Sequence, residues 1–371
     1  MPKEPSRLDE RKRTILRAVV DEYVEHAEPV GSRSLVERYS LNLSSASVRS
    51  TLAELEQLGY LEQPHTSAGR VPTDRGYRIY IDELMELEPL PEETKEHIRE
   101  QLRESIDEIP ELLRQASGLL SQETGYVSLA LQPRVASSVL RQIKLLMIEP
   151  GRVLVVLVLS AGVVRDRIVR IPDVLDQHQL QRIAAAIEQQ LAGCQLRDIS
   201  FIMMQLAAAD SQVPESLLNQ VLFETWTAIQ QADQLAAYVD GMPNLLRHRE
   251  FHSISRARDV VSALSSDGLL TGLMEPLRPA VGSSGHGGAD AGALAERSAA
   301  VPWMVRIGQE LQQEGLEDCS FVTTTYHLPE QLVGSIGVVG PRRMAYSRVI
   351  SHISFVRQTI DHLLTWRSSR S

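Results

Sequence analysis

The chain has 371 residues, of which 43% are hydrophobic, 23% charged and 5% aromatic. At roughly 100–200 residues per domain, this length predicts two or three globular domains of a soluble protein. The formal net charge of -10 argues against a protein that coats nucleic acid or anionic membranes indiscriminately, but a small local DNA-reading surface remains compatible with it.

The cysteine content and the apolar stretches of the sequence indicate in which cellular compartment the protein is expected. Cys194 and Cys319 are the only cysteines, which excludes a disulfide framework and a multi-cysteine zinc module and favours the reducing cytoplasm. The charged start of the chain, Met1 to Arg13, contains no apolar segment of the secretory type. The apolar stretch Val153 to Val164 is about half the roughly 20 residues that a membrane helix needs, so no span is expected.

The first 88 residues contain the signals of three short helices, a hairpin and a fourth helix. Apolar residues recur at helical spacing between residues 8 and 25, and a short second helix begins at Ser32. Ser44 is the expected N-cap of a third helix, whose buried stripe is Val48, Leu52 and Leu55. The extended pieces 60–64 and 69–72 predict a two-stranded wing, followed by a helix over 74–87.

The remainder of the chain mixes both periodicities and predicts an α+β body. A connecting helix with a kink at Pro110 is expected over 92–120. Residues 276–300 are rich in Gly, Ser and Ala and are expected to form a disordered loop. The other expected strands are 126–131, 143–148, 153–159, 163–171, 319–326 and 332–339, and the expected helices are 180–191, 216–239, 256–264 and a long C-terminal one.

The third helix carries the most informative residues. With its stripe in the core, the first turns present Ser45, Ser47, Arg49 and Ser50 outward, which are small polar side chains around one guanidinium. In a helix-turn-helix protein these turns enter the major groove, where arginine contacts guanine O6 and N7 and serines contact phosphates or base edges. An ordinary solvated helix face explains the same pattern equally well when this helix is taken alone.

The hairpin tip favours the DNA-binding alternative. It contains His65, Thr66, Ser67 and Arg70, and such tips lie against the sugar-phosphate backbone or in the minor groove. Arg33, Arg75 and Arg78 are further candidate cations, and the N-cap Ser44 belongs to the same surface. Against this, residues 1–82 contain 12 Lys+Arg and 13 Asp+Glu, a net charge of -1 rather than the strongly basic balance of most DNA-binding domains.

Five segments resemble the bacterial family of the heat-inducible transcription repressor HrcA. They are EPVGSRSL at 28–35, SSASVR at 44–49, GYLEQPHTSAGRVPTDRGYR at 59–78, LEDCS at 316–320 and GVVGPRRMAYSRVI at 337–350. The loop at 276–300 departs from the family pattern, because the family usually runs straight into the strand that resembles residues 303–308.

This resemblance implies a homodimeric repressor of chaperone operons that binds double-stranded DNA at an inverted-repeat operator. It also implies that the chaperonin GroEL keeps the repressor active until heat-damaged protein competes for it. The implied domains are a winged helix over 1–88, a linker helix over 89–107, a GAF-like domain formed by 108–137 and 232–371, and an inserted dimerisation domain over 138–231.

The enzyme and metal alternatives have weak sequence support. Gly334, Gly337 and Gly340 have the spacing of neither a dinucleotide fingerprint nor a P-loop. His248 and His252 lack a nearby cysteine or carboxylate pair to complete a zinc site. We therefore expect no catalytic residue, metal or cofactor. The second hypothesis is a winged-helix regulator whose GAF-like domain senses a small molecule, although no charged cluster in the sequence selects a ligand.

Overall fold

A computed structural model of the chain describes residues 8–39, 43–65, 68–105, 108–233, 236–265, 272, 303–328 and 332–368. Thr66, Ser67 and the loop expected at 276–300 lie outside these residues. Within them, the chain has the expected α+β composition, with three antiparallel sheets and helices packed on them. No helix among these residues combines the length and the apolar character that crossing a bilayer requires.

The N-terminal unit contains the predicted elements in the predicted order. Its core is formed by buried residues that include Ile15, Leu16, Leu35, Val48 and Leu55. The unit ends in a π-helical turn over Tyr80–Leu84 that continues the fourth helix. The elements are α1 (Glu10–His26), α2 (Ser32–Arg38), α3 (Ser45–Gln57), the antiparallel pair β1 (Leu61–Glu62) and β2 (Val71–Pro72), and α4 (Asp74–Ile79).

The second unit is a five-stranded antiparallel sheet covered on both faces. Val338 points to a helical layer formed by α6 (Ile109–Thr124) and α12 (Tyr346–Ser368), whereas its neighbour Val339 points to an opposite cluster around Leu245, Phe251 and Val260. Because both faces are buried, the central strand β10 is almost continuously apolar. The order is β7 (Ala237–Asp240), β3 (Val127–Leu131), β10 (Val333–Pro341), β9 (Cys319–His327) and β8 (Trp303–Ile307). The helices are α5 (Glu92–Glu104), α6 (Ile109–Thr124), α10 (Met242–Leu245), α11 (Ile254–Leu264) and α12 (Tyr346–Ser368).

The third unit is a separate antiparallel sheet in the order β4, β5, β6, inserted in the chain between β3 and β7. Along β5, buried Val153, Val155 and Leu157 alternate with half-buried residues, because only one face is covered by helices. The elements are β4 (Leu140–Glu149), β5 (Arg152–Leu159), β6 (Val164–Arg170), α7 (Gln177–Leu191), α8 (Phe201–Ala207) and α9 (Glu215–Gln231).

Two sequence-based expectations for this part of the chain differ from the structure. The single kinked helix over 92–120 is two helices, and Pro110 lies in the first turn of α6, where its missing N–H leaves no hydrogen bond unmade. The helix expected over 216–239 ends at Gln231, since residues 237–240 pair with β3 instead. The short helices α8 and α10 are further elements that the sequence pattern did not predict.

Polar contacts fix the N-terminal unit on the second unit. Arg78 forms an ion pair with Glu310 and donates to the carbonyl of Val305 at 2.8 Å. Asp74 accepts from Arg342 Nη1 at 2.9 Å. Among the described residues, none of the hydrogen bonds and ion pairs between the two units involves a residue of α3.

Candidate nucleic-acid interface

Helix α3 begins where the sequence predicts. Ser44 has an extended backbone, and its Oγ accepts a hydrogen bond from the backbone N–H of Ser47 at 3.2 Å. The stripe Val48, Leu52 and Leu55 is buried in the core of the N-terminal unit. The opposite face of the first turns is therefore directed outward.

Arg49 and Ser50 are exposed on that outward face. Neither side chain makes a hydrogen bond or an ion pair with another described residue. Arg33 on α2 and His65 at the hairpin are also exposed. Their side chains likewise make no hydrogen bond or ion pair with another described residue. A charged guanidinium that has only water as a partner is available to a polar ligand at no cost in internal contacts.

Besides the N-cap Ser44, two of the predicted serines have structural partners. Ser45 Oγ lies 3.0 Å from Ser32 Oγ, which joins α3 to α2. Arg11 Nη2 donates to the carbonyl oxygen and to Oγ of Ser47, both at 2.7 Å. Arg11 thus supplies a second guanidinium at the first turn of α3. The sequence alone does not indicate this role of Arg11, because no local signal places the start of α1 beside α3.

Arg70 is held within the N-terminal unit. Its Nε and Nη2 both lie 2.9 Å from Glu56 Oε2, and its side chain is only 19% exposed. The backbone of Arg70 also pairs with Val30 in both directions, at 2.9 and 2.8 Å. This arrangement ties the hairpin to α3 and orients the Arg70 guanidinium, while contact with DNA remains a prediction.

A groove of about 350 Å³ separates α3 from the hairpin. Its lining includes Ser32, Arg49, Gln63, Gly69 and Arg70. The groove therefore places an unpaired and a paired arginine between a helix and a β-hairpin, which suits a polyanionic ligand.

Gly69 sets the approach of the hairpin to the loop before α2. A Cβ at this position would lie 2.4 Å from the carbonyl oxygen of Val30, which is backbone and cannot rotate away. We expect Gly69→Ala to lower the free energy of unfolding by about 1–3 kcal/mol, as overpacking does. Calorimetric unfolding of the full chain measures this loss. Gly31→Ala is the matched control, since no atom lies within 4 Å of its Cβ, and an equal effect of both variants would contradict the assignment.

The supplementary cations have other roles. Arg75 Nη1 donates to the carbonyl of Leu58 at 2.8 Å, and its guanidinium lies over the ring of Tyr60 at 4.6 Å. Arg78, the other candidate cation on α4, is directed at Glu310 in the second unit. Its guanidinium therefore serves the junction between the two units and is not part of the surface formed by α3 and the hairpin.

The features weighed for enzymatic or metal chemistry lie in ordinary structural surroundings. Gly334, Gly337 and Gly340 lie within the paired strand β10. His248 stacks on Tyr126 with ring centroids 5.0 Å apart, and burial lowers its pKa. Burial raises the pKa of Cys319 to about 12, so its thiol is protonated at neutral pH. Among the described residues, no three His, Cys, Asp or Glu side chains form a group that could hold a metal ion.

Comparisons with known proteins agree with the motifs. The HrcA protein C terminal domain family matches residues 110–350. The heat-inducible transcription repressor HrcA of Ruminiclostridium cellulolyticum is 36% identical over 95% of this chain and 97% of its own length. The protein of the same name from Moorella thermoacetica is 34% identical over 96% of this chain and 98% of its own.

One solved structure shares the fold. The crystal structure of a hypothetical protein superposes with a TM-score of 0.57 at 20% sequence identity, covering 97% of this chain and 98% of that one. At this identity the likeness supports the architecture alone. The identity to full-length relatives and the matched family show that the chain belongs to the HrcA family of heat-inducible transcription repressors.

Proposed function

We propose that this chain represses transcription of heat-shock (chaperone) operons by binding an inverted-repeat operator. The N-terminal unit acts as a winged helix, with α3 in the major groove and the hairpin against the DNA backbone. The observation that carries this proposal is the exposure of Arg49 and Ser50 at the start of α3, without internal partners among the described residues. The repressor names of the full-length relatives support it.

The candidate residues divide by what they contact. Arg49 and Ser50 are positioned to read base edges, because they lie on the outward face of the first turns. Arg33 and His65 are assigned to the phosphates that flank the contacted bases. The remaining proposed contacts are Ser44, Ser45, Ser47 and Arg70, together with Thr66 and Ser67 outside the described residues. Ser45, Ser47 and Arg70 would contact DNA in addition to their contacts with Ser32, Arg11 and Glu56 within the N-terminal unit.

We infer that the repressor is a homodimer formed through the sheet of the third unit. The uncovered face of this sheet aligns Leu146, Leu154 and Ile168 across three strands. Leu146 and Ile168 are 46% and 49% exposed, and Val164 on the same face is 53% exposed. An antiparallel sheet whose free face meets water normally carries polar side chains there, so this apolar row, which lies beside the charged Asp166 on the same face, indicates a contact surface. A second copy of the same face matches it by two-fold symmetry.

The division into domains follows from these assignments. We propose residues 1–88 as the winged helix, 89–107 as the linker, 138–231 as the dimerisation insert, and 108–137 with 232–371 as the GAF-like domain. Modulation by a chaperonin is proposed from family membership. Exposed Ile202, Leu206 and Phe223, at 66%, 67% and 52%, offer it an apolar surface on α8 and α9 that the sheet dimer leaves open.

A DNase footprint on the promoter of the protein's own chaperone operon tests target and regulation together. We expect protection of two half-sites separated by about one helical turn, because a two-fold dimer presents two copies of α3. Adding the chaperonin is expected to lower the repressor concentration at half-protection. Equal protection of a scrambled promoter would contradict sequence-specific repression. If the repressor concentration at half-protection did not change on adding the chaperonin, only the proposed modulation by the chaperonin would be contradicted.

A further inference from the structure

A cavity of about 210 Å³ lies between strand β6 and helix α9, at the junction of the third unit with the five-stranded sheet. Its walls include the buried Val155 and Leu157 of β5 and Ala228 of α9. Gln132 and Ala236, which flank β3 and β7, close it from the side of the second unit. A ligand in this cavity would contact both units.

Two arginines occupy positions on the inner face of the sheet where apolar residues are expected. Arg165 lies opposite Leu157 and Arg167 opposite Val155, and these two partners are only 2% and 1% exposed. Since alternate residues of a strand share a face, both guanidinium groups project from the helix-covered side. Both line the cavity.

Neither arginine has a carboxylate partner among the described residues. Arg165 donates only to the carbonyl oxygens of Ala232 and Val164, at 3.3 and 3.4 Å. The side chain of Arg167 makes no hydrogen bond or ion pair with a described residue. Burial lowers the pKa of Arg165, and the neighbouring Tyr238, Tyr326, Asp233 and Asp166 offset this only in part.

The neighbouring acids do not neutralise the pair. Asp166 is also a lining residue of the cavity, but it alternates with the two arginines along β6, so its side chain projects from the opposite face. Asp233 Oδ1 already accepts the backbone N–H groups of Val135 and Ala136, at 2.6 and 2.8 Å.

The same cavity contains a buried acceptor without a donor. Gln231 Oε1 has no hydrogen-bond partner among the described residues and is shielded from solvent. The other amide in the wall, that of Gln132, donates to the hydroxyl of Tyr238 at 2.7 Å, so its amide N–H is already engaged. A buried, unsatisfied acceptor requires an O–H or N–H from water or from a ligand.

We propose that this cavity binds a small oxyanion that also carries a hydroxyl group. Its carboxylate or phosphate oxygens pair with Arg165 and Arg167, and its hydroxyl donates to Gln231 Oε1. Arginine is suited to this task because its planar fork matches both kinds of oxyanion. By bridging the two units, the bound anion stabilises the folded repressor through mass action.

Calorimetric titration and thermal unfolding of the full chain at constant ionic strength test the proposal. The probes are malate, inorganic phosphate, and succinate, which lacks the hydroxyl of malate. We expect a saturable rise in Tm and a calorimetric isotherm with malate or with phosphate at concentrations up to about 10 mM. Binding of malate alone identifies a carboxylate ligand and binding of phosphate alone a phosphorylated one, while succinate is expected to bind several-fold more weakly than malate. Absence of saturable binding by both malate and phosphate would overturn the proposal.

Variants separate binding from a purely structural role of the arginines. Arg165→Gln and Arg167→Gln are each expected to weaken binding by about tenfold or more, because each loses a charge-assisted pair. Arg197→Gln is the matched control, since this arginine of the same unit is 62% exposed and lies outside the cavity lining. Should Arg165→Gln fail to fold, Arg167→Gln, whose side chain is exposed, still decides the question. Parent-like affinity in the variants that fold would show that the arginines only pack against α9, and would refute the site.

Discussion

Replacing Arg49 by alanine is expected to weaken operator binding by about 1–3 kcal/mol, that is by about 5- to 150-fold in Kd, and to relax the base preference. This loss of binding free energy should arise only from contacts in the DNA complex, with no change in the stability of the free repressor. The side chain of Arg49 is exposed and makes no hydrogen bond or ion pair with a described residue, so the folded repressor loses no internal polar contact. Gel shifts with operator and scrambled duplexes at two salt concentrations measure both effects.

Two further variants sharpen this experiment. Arg49→Lys keeps the charge but loses the bidentate fork, so it should retain the nonspecific affinity and lose most of the preference for the operator. Arg258→Ala removes the same charge from α11, where the side chain is 78% exposed, and should leave both affinities unchanged. Parent-like operator binding by Arg49→Ala would show that another surface reads the bases.

Signals within a short stretch of sequence were sufficient to predict helix α3, which carries the candidate site. The N-cap at Ser44 was predicted because a serine that precedes an apolar stripe satisfies the free N–H groups of the first turn. The outward position of Arg49 then followed from helical periodicity around Val48 and Leu52. These inferences needed no knowledge of the rest of the chain.

Contacts between distant segments were out of reach of the sequence. Arg70 and Glu56 are 14 residues apart and meet only because the hairpin folds against α3. Arg11 reaches Ser47 across 36 residues. The same limitation explains the end of α9, because residues 237–240 have a helix-compatible pattern but pair with β3 once the sheet forms. In each case tertiary structure decides where a locally ambiguous residue goes.

Several motif residues that resemble the family serve the junction between units rather than the DNA surface. Asp74, at the end of the long N-terminal motif, accepts from Arg342 of the C-terminal motif at 2.9 Å. Tyr77 and Tyr346, again one from each motif, lie with ring centroids 6.0 Å apart. The two ends of the chain therefore carry complementary halves of one interface. This arrangement fixes the direction in which α3 is presented.

Placing a carboxylate in the uncovered sheet face should have the largest effect on repression. Ile168→Asp is expected to convert the proposed dimer to monomers, because a charge would be buried opposite Leu154 and its symmetry-related copies. Operator affinity should fall by about 100-fold or more, since a monomer contacts one half-site and loses the effective concentration of the second α3. Analytical ultracentrifugation gives the oligomeric state, and a gel shift with the full operator gives the affinity.

The control for this variant is Ile254→Asp on α11, at a side chain that is 87% exposed and distant in sequence from the inserted sheet. It introduces the same charge and should leave both the mass and the affinity of the repressor unchanged. A duplex with a single half-site provides the internal comparison, because parent and Ile168→Asp should bind it within a few-fold of each other if α3 is intact. A variant that stays dimeric would place the two-fold interface elsewhere. A monomer that binds the full operator as tightly as the parent would show that dimerisation is not what couples the two half-sites.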